Sequence, residues 1–332
     1  MISMKAVIPV AGAGTHMRPH THTQPKPLIP VAGEPILSHI IKKLHLSGIK
    51  DFIFVIGYLG DKIKSFIESQ FKGVINYEFV VQEPRLGLAH AIYLCKNLLI
   101  NEKEFIISLG DIIVDVDFQE IINFPYNVIT LHPVNNPCEY GIAVINEQNQ
   151  VIHLAEKPKI PKGNLALVGI YKIKNIPIFF EGVEQILKTK EQGEYHLTDV
   201  LMEMIKNQET IYGFKVNNWY DCGKKEALLQ SNRLLMKNLP TFSQPIHINS
   251  VIIPPVSIHH SVIIEDSIIG PHVAIGENAI IKKSIIEDAI IGSFATLDRI
   301  ILKNSIVGND SSLKGRSQSV NIGDSTEINF ND

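Results

Sequence analysis

Apolar residues along the chain follow two different spacings, and the change falls near Pro245. Before it, short apolar runs alternate with amphipathic stretches. Ala6-Val7-Ile8-Pro9-Val10 reads as a buried strand that runs into a Gly-rich loop. Pro35 opens a helix with a core stripe at Ile36, Leu37, Ile40, Ile41 and Leu44, and Gly48 ends it. Residues 52–56 form the next strand, Ile63, Phe66 and Ile67 mark a helix, and 75–81 a further strand. Leu88, Ala91, Ile92 and Cys95 share one helix face before the apolar run 105–109. This alternation predicts an α/β domain over 1–240, with a Rossmann-like, mostly parallel sheet covered on both faces. Ligands of such sheets bind beyond the carboxyl ends of the strands, so the loops there carry the candidate chemistry.

After Pro245 the period becomes six. Ile263, Ile269, Ile275 and Ile281 keep that step, as do Ser261, Ser267, Val273 and Ala279. The register slips at Ile286, Ile291 and Leu297 and recovers at Ile301, Val307 and Leu313, while Gly270, Gly276, Gly292 and Gly308 each follow an aliphatic residue. A six-residue period with glycine at corners predicts a short parallel β-helix of hexapeptide repeats over 245–332, about four coils of about eighteen residues. A sandwich of short strands is the alternative. The polar stretch 315–332 is expected to cap the stack or fray.

Composition narrows the function. Thirty-one basic against thirty-four acidic residues give a net charge of −3, which argues against a nucleic-acid or anionic-membrane coat. Hydrophobic residues at 45% and charged ones at 20% suit a packed globular protein. No apolar run approaches the ~20 residues of a membrane span, and the start lacks a signal-peptide layout, so a cytoplasmic protein is expected. Cys95, Cys138 and Cys222 are too few and too scattered for a disulfide framework or a zinc site.

The loop after the first strand reads Val10-Ala11-Gly12-Ala13-Gly14-Thr15-His16-Met17-Arg18-Pro19, and Gln24-Pro25-Lys26-Pro27-Leu28 follows. Gly12 and Gly14 let successive N–H groups face one concavity, which favours an anion such as phosphate. Met17 stands where a dinucleotide fingerprint needs glycine, and the Walker lysine is missing. What remains is a Gly-rich turn with Arg18 and with Lys26 held between two prolines, an arrangement suited to aiming cations at phosphate oxygens. An ordinary Gly/Pro-rich surface loop is the plainer explanation.

Gly12-Ala13-Gly14-Thr15, Pro19, Thr21, Pro25-Lys26-Pro27-Leu28 and Pro30-Val31 resemble the signature of the sugar-1-phosphate nucleotidylyltransferases. The similarity continues in order through Gln82 with Gly87-Leu88-Ala89, Leu109-Gly110-Asp111, Tyr140-Gly141, Glu156-Lys157-Pro158, Gly169, Gly193-Glu194, Thr198-Asp199 and Trp219-Tyr220-Asp221-Cys222-Gly223. The nearest pattern is that of glucose-1-phosphate thymidylyl- and uridylyltransferases. The resemblance implies the nucleotide-diphospho-sugar transferase type of fold, and some family members add a left-handed β-helix.

It also implies the reaction: a nucleoside monophosphate passes from dTTP or UTP to a sugar 1-phosphate, with release of pyrophosphate and Mg²⁺ as cofactor. Lys26, Arg18 and Asp111 are then the catalytic candidates, and Ala11, Gly12, Ala13, Gly14, Thr15, His16, Gln82, Gly87 and Asp111 would hold the nucleotide. Tyr140, Gly141, Glu156, Lys157, Gly169 and Glu194 would hold the sugar phosphate, Lys157 by its phosphate. Asp111 and Asp221, each after an apolar strand-like run, suit a hard cation, although aspartate also caps helices and turns. Gln82 can donate and accept at once, which matches uracil or thymine. The family carries arginine at position 16, and imidazole is mostly neutral near pH 7, so Arg18 is expected to supply the missing charge. The other reading is a weakened or inactive homologue that binds nucleotide or sugar phosphate as a regulatory or assembly subunit. His16, His20 and His22 make a weak metal set. His259, His260 and His272 are candidate acyltransferase bases, but assembly into a homo-oligomer is the favoured role for the β-helix.

Overall fold

The structure, a computed structural model, describes residues 4–189, 193–237 and 246–315. The chain forms two compact units, Met1–Ser231 and Asn232–Asp332, and the division falls inside the helix Lys225–Met236.

In the first unit four parallel strands lie in the order Phe105–Ser108, Lys5–Val10, Asp51–Ile56 and Asn76–Val81. Val7, Ile8, Phe54, Val55 and Ile107 on them are fully buried, as expected for strands covered on both faces. The other half of the sheet differs from a mostly parallel reading. Leu165–Ile173 runs antiparallel to Phe105–Ser108 and to Asn127–Pro133, and a hairpin of Gly141–Ile145 and Val151–Glu156 extends that side. The sheet is therefore mixed, within a Rossmann-like unit. Helices form where the apolar stripes predict: Ile36–Leu46 after Pro35, Gly60–Gln70 and Leu88–Tyr93.

A small second sheet pairs Ile112–Asp115 antiparallel with Asn218–Asp221, and Asp221 faces Ile112 in register. Lys172 is buried and crosses from Leu165–Ile173 to the end of the helix Phe118–Asn123. Its ammonium donates to the carbonyls of Ile122 at 2.7 Å and Phe124 at 2.6 Å and lies 3.0 Å from Glu104.

The second unit is the left-handed β-helix, built of parallel strands. Ile264 pairs with Ile281, Ile281 with Leu297 and Leu297 with Leu313, so the coils are 17 and then 16 residues long, not eighteen. A strict six-residue step cannot close such a coil, and one or two corners take five. The inward positions consequently include Ile264 and Leu302, while Ile263 is half-exposed and Ile301 is 76% exposed. Ile263 and Ile301 keep the six-residue step yet lie on the outside of the prism. At one corner, serines link the coils: Ser267 N–H donates to Ser250 Oγ, Ser284 N–H to Ser267 Oγ and Ile300 N–H to Ser284 Oγ, at 3.0 to 3.2 Å. The stretch 316–332, expected to cap or fray, lies outside the described residues.

Candidate active site

Strand ends of the first unit converge on Lys26. Pro25 enters a single 3₁₀ turn, Lys26–Leu28, and its carbonyl takes the Leu28 N–H at 2.9 Å. Gly14, at φ 59°, packs beneath it, and an added Cβ would lie 3.0 Å from Lys26 Cβ. The Lys26 ammonium donates to Asp111 Oδ2 at 2.5 Å and lies 3.5 Å from Asp221 Oδ1. Burial alone would lower the lysine pKa, but Asp111 and Asp221 overcome it and hold the ammonium above its ordinary value. The pairing of Ile112–Asp115 with Asn218–Asp221 brings the two carboxylates together, and the Cys222 N–H adds a bond of 3.2 Å to the Asp111 carbonyl. Gly223 N–H donates to Asp221 Oδ1 at 3.1 Å, and Gly223 leaves room for Lys26 Nζ 3.4 Å from where its Cβ would be. Burial pushes the neighbouring Cys222 thiol up to about 12, so it offers no thiolate nucleophile at neutral pH.

Two hollows meet at this cluster. The first, about 420 Å³, is lined by Ala11, Gly12, Gly14, Thr15, His16, Lys26, Gln82, Gly87, Asp111 and Glu194 among the expected residues. The second, about 780 Å³, is lined by Tyr140, Lys157 and Asp221. His16 borders both. Lys26 and Asp111 line the first hollow and Asp221 the second, so the ion-paired cluster forms part of the wall they share.

Several residues sit elsewhere than expected. Arg18 and Ala13 line neither hollow, and Arg85 is the arginine on the first. Glu194 lies on the Gln82 side, not beside Tyr140 and Lys157. Gly141, Glu156 and Gly169 also line neither. Glu156 accepts a 3.1 Å bond from Thr198 Oγ1 and faces Gly141 across the hairpin, and Gly169, at φ 109°, lies where the sheet register shifts, its carbonyl bonded to Leu109 N–H. Gly87 packs closely on protein: an added Cβ would lie 2.6 Å from the Tyr195 carbonyl oxygen. Gln82 uses its amide nitrogen inside the fold, donating to the Gly87 carbonyl at 2.9 Å beside His90 Nδ1 at 3.3 Å. Its Oε1 is the group left to receive a ligand N–H.

Besides Arg85 on the first hollow, the sequence reading missed His132, Asn135, Asn136, Glu139 and Lys224 on the second, with Lys224 bonded to Glu139 at 2.9 Å. The Trp219 ring stands 5.1 Å from Tyr140 and 6.2 Å from His132, and its indole N–H is buried without a partner. Among the described residues no three His, Cys, Asp or Glu side chains gather as a metal group, so the His16, His20, His22 set fails. In the β-helix, His259 Nδ1 pairs with Ser261 Oγ at 2.8 Å and His272 Nδ1 with Asp288 at 3.2 Å.

Asp111 and Asp221 do fit a divalent cation. Their side chains are 36% and 42% exposed, their donors are hard oxygens, and one lysine leaves the pair with a net charge of −1.

Residues 5–238 match the nucleotidyl transferase family. A bifunctional protein GlmU of Methanococcus vannielii is 35% identical over 322 residues, covering 94% of this chain and 73% of that one. The chain spans from 56% to 73% of the length of the GlmU relatives it matches. A glucose-1-phosphate thymidylyltransferase of Streptomyces antibioticus is 28% identical over 313 residues, 87% of each chain. The solved UDP-glucose pyrophosphorylase from Acinetobacter baumanii shares the fold, with a TM-score of 0.60 at 24% identity over 72% of this chain and 95% of that one.

Proposed function

Because the chain belongs to the nucleotidyl transferase family, among its sugar-phosphate members, we propose that it transfers a nucleoside monophosphate from UTP or dTTP to a sugar 1-phosphate. The observation that carries this reading is the Lys26–Asp111–Asp221 cluster in the wall between two hollows of unequal size. The first hollow, with the glycine loop and the Gln82 acceptor, takes the nucleotide, and Gln82 Oε1 receives the imide N–H of a pyrimidine. The second, with Lys157, Lys224 and the ring of Trp219, takes the sugar phosphate.

A phosphate oxygen of the sugar 1-phosphate attacks the α-phosphorus in line, a new P–O bond forms, and the bond to the β-phosphate breaks to release pyrophosphate. The attacking oxygen is already anionic, so no general base or protein nucleophile is needed, which agrees with a Cys222 that stays protonated. The chain's task is to hold two anions together and offset charge in the transition state. Lys26, fixed by two carboxylates, places its ammonium at that point without reorganising. Asp111 and Asp221 would hold Mg²⁺, which supplies Lewis-acid compensation of phosphate charge when bound.

A pyrophosphate-release screen over UTP, dTTP and other nucleotides against several sugar 1-phosphates tests the proposal. Turnover with a pyrimidine nucleotide is expected. Nucleotide binding with no turnover in any pairing would favour the regulatory-subunit reading that His16 raises, and acetyl-CoA consumption with an amino-sugar phosphate would add an acyltransferase role.

A further inference from the structure

The first hollow is short of positive charge for the ligand proposed for it. Its fixed cations are Lys26 and Arg85, and its carboxylates are Asp111 and Glu194. Lys26 is bound to Asp111 and close to Asp221, so that cluster contributes a net negative charge. A nucleoside triphosphate is still an anion after it binds a divalent cation, and without Arg85 this wall would repel it.

Arg85 is placed to offset part of that negative charge. It lies in the loop after the strand Asn76–Val81, and its guanidinium carbon stands 5.9 Å over the ring of Tyr58. Tyr58 is tied at both ends to the first loop: its N–H donates to the Ala11 carbonyl at 3.3 Å and its hydroxyl to the His22 carbonyl at 3.2 Å. The guanidinium is thereby held beside the segment that carries Gly12 and Gly14. Among the described residues Arg85 makes no ion pair with a carboxylate, so its fork of donors is left for a ligand. Arg18, the cation nearer in sequence, lines neither hollow.

We propose that Arg85 contacts the phosphate chain of the bound nucleotide and that Tyr58 is its positioning residue. The inference rests on the nucleotide reading of the first hollow. Arg85 thereby supplies, from the loop after Asn76–Val81, the charge that the His16 position lacks.

Steady-state kinetics of Arg85→Gln, Arg85→Lys and Tyr58→Leu test it, using whichever of UTP or dTTP the wild type accepts. Arg85→Gln should raise the nucleotide KM and the inhibition constant of pyrophosphate about tenfold, the size of one charge-assisted hydrogen bond at a partly exposed site. Inhibition by uridine or thymidine, which carry no phosphate, should not change, and Arg85→Lys should recover part of the loss. Tyr58→Leu should weaken pyrophosphate inhibition in the wild type but add nothing to Arg85→Gln. Equal weakening of the nucleoside overturns the phosphate contact, and additive losses overturn the role of Tyr58. If the wild type turns over normally and Arg85→Gln matches it, the inference alone falls. A wild type without turnover in any pairing overturns the functional reading beneath it.

Discussion

The ammonium of Lys26 lies 2.5 Å from Asp111 Oδ2, although one residue follows the first loop and the other lies 85 positions on, in the turn between Phe105–Ser108 and Ile112–Asp115. Lys26→Met should reduce pyrophosphate release by about 10²–10³-fold with the fold retained, the usual size for removing one preorganised charge. The pH dependence has a defined sign. The folded pKa of Lys26 is raised, so the stability it contributes is full below the free-lysine value of 10.5 and is lost as pH rises through the folded value. Stability curves of wild type and Lys26→Met should therefore run parallel from about pH 6 to 9 and approach each other only in strong alkali.

Asp111→Asn and Asp221→Asn should each raise the Mg²⁺ concentration for half-maximal activity by about tenfold or more, and chelation should stop the reaction. Activity titrated against Mg²⁺ measures this. Full turnover in excess chelator would remove the metal from the account.

Gly87→Ala sets a Cβ 2.6 Å from the Tyr195 carbonyl at a backbone φ of 101°. The strain of about 1–3 kcal/mol should displace the carbonyl that anchors Gln82. The expected outcome is a raised nucleotide KM with a smaller change in the sugar-phosphate KM, read from two-substrate kinetics.

Lys172→Met should act on stability alone. Its ammonium satisfies two carbonyls at the end of the helix Phe118–Asn123 and pairs with Glu104, and its loss should cost about 2–4 kcal/mol. Denaturant unfolding should show that loss while both KM values stay at the wild-type level.

Coil length in the β-helix predicts opposite results at neighbouring isoleucines. Ile281 is fully buried, so Ile281→Ala should cost about 2–5 kcal/mol, whereas the outward Ile285→Ala should fall within about 0.5 kcal/mol. Similar losses at both would contradict the coils of 17 and 16 residues.

Local signals in the sequence account for much of this architecture. The apolar runs that end at Val10 and Leu109 place a glycine loop and Asp111 at strand ends, and the stripe from Ile36 to Leu44 is the helix that forms. Asp221 meets Asp111 only through a strand pair separated by half the first unit, and no periodicity encodes that register. Arg85 has no motif around it; only its position after a parallel strand marks it, which is why Arg18, inside the glycine loop, draws attention first. Repeat spacing reveals the β-helix but not which members face inward: Ile263 and Ile301 keep the step and lie outside, because coils of 17 and 16 residues force five-residue corners that a six-residue count hides.

The corner serines have a consequence for how the second unit responds to damage. Each hydroxyl of Ser250, Ser267 and Ser284 donates to a carbonyl two residues back in its own coil and accepts from an N–H of the next, and among the described residues the strands pair with the coils above and below. Such a stack behaves as a one-dimensional chain of like units, in which a lesion in one turn is felt by its immediate neighbours and fades beyond them.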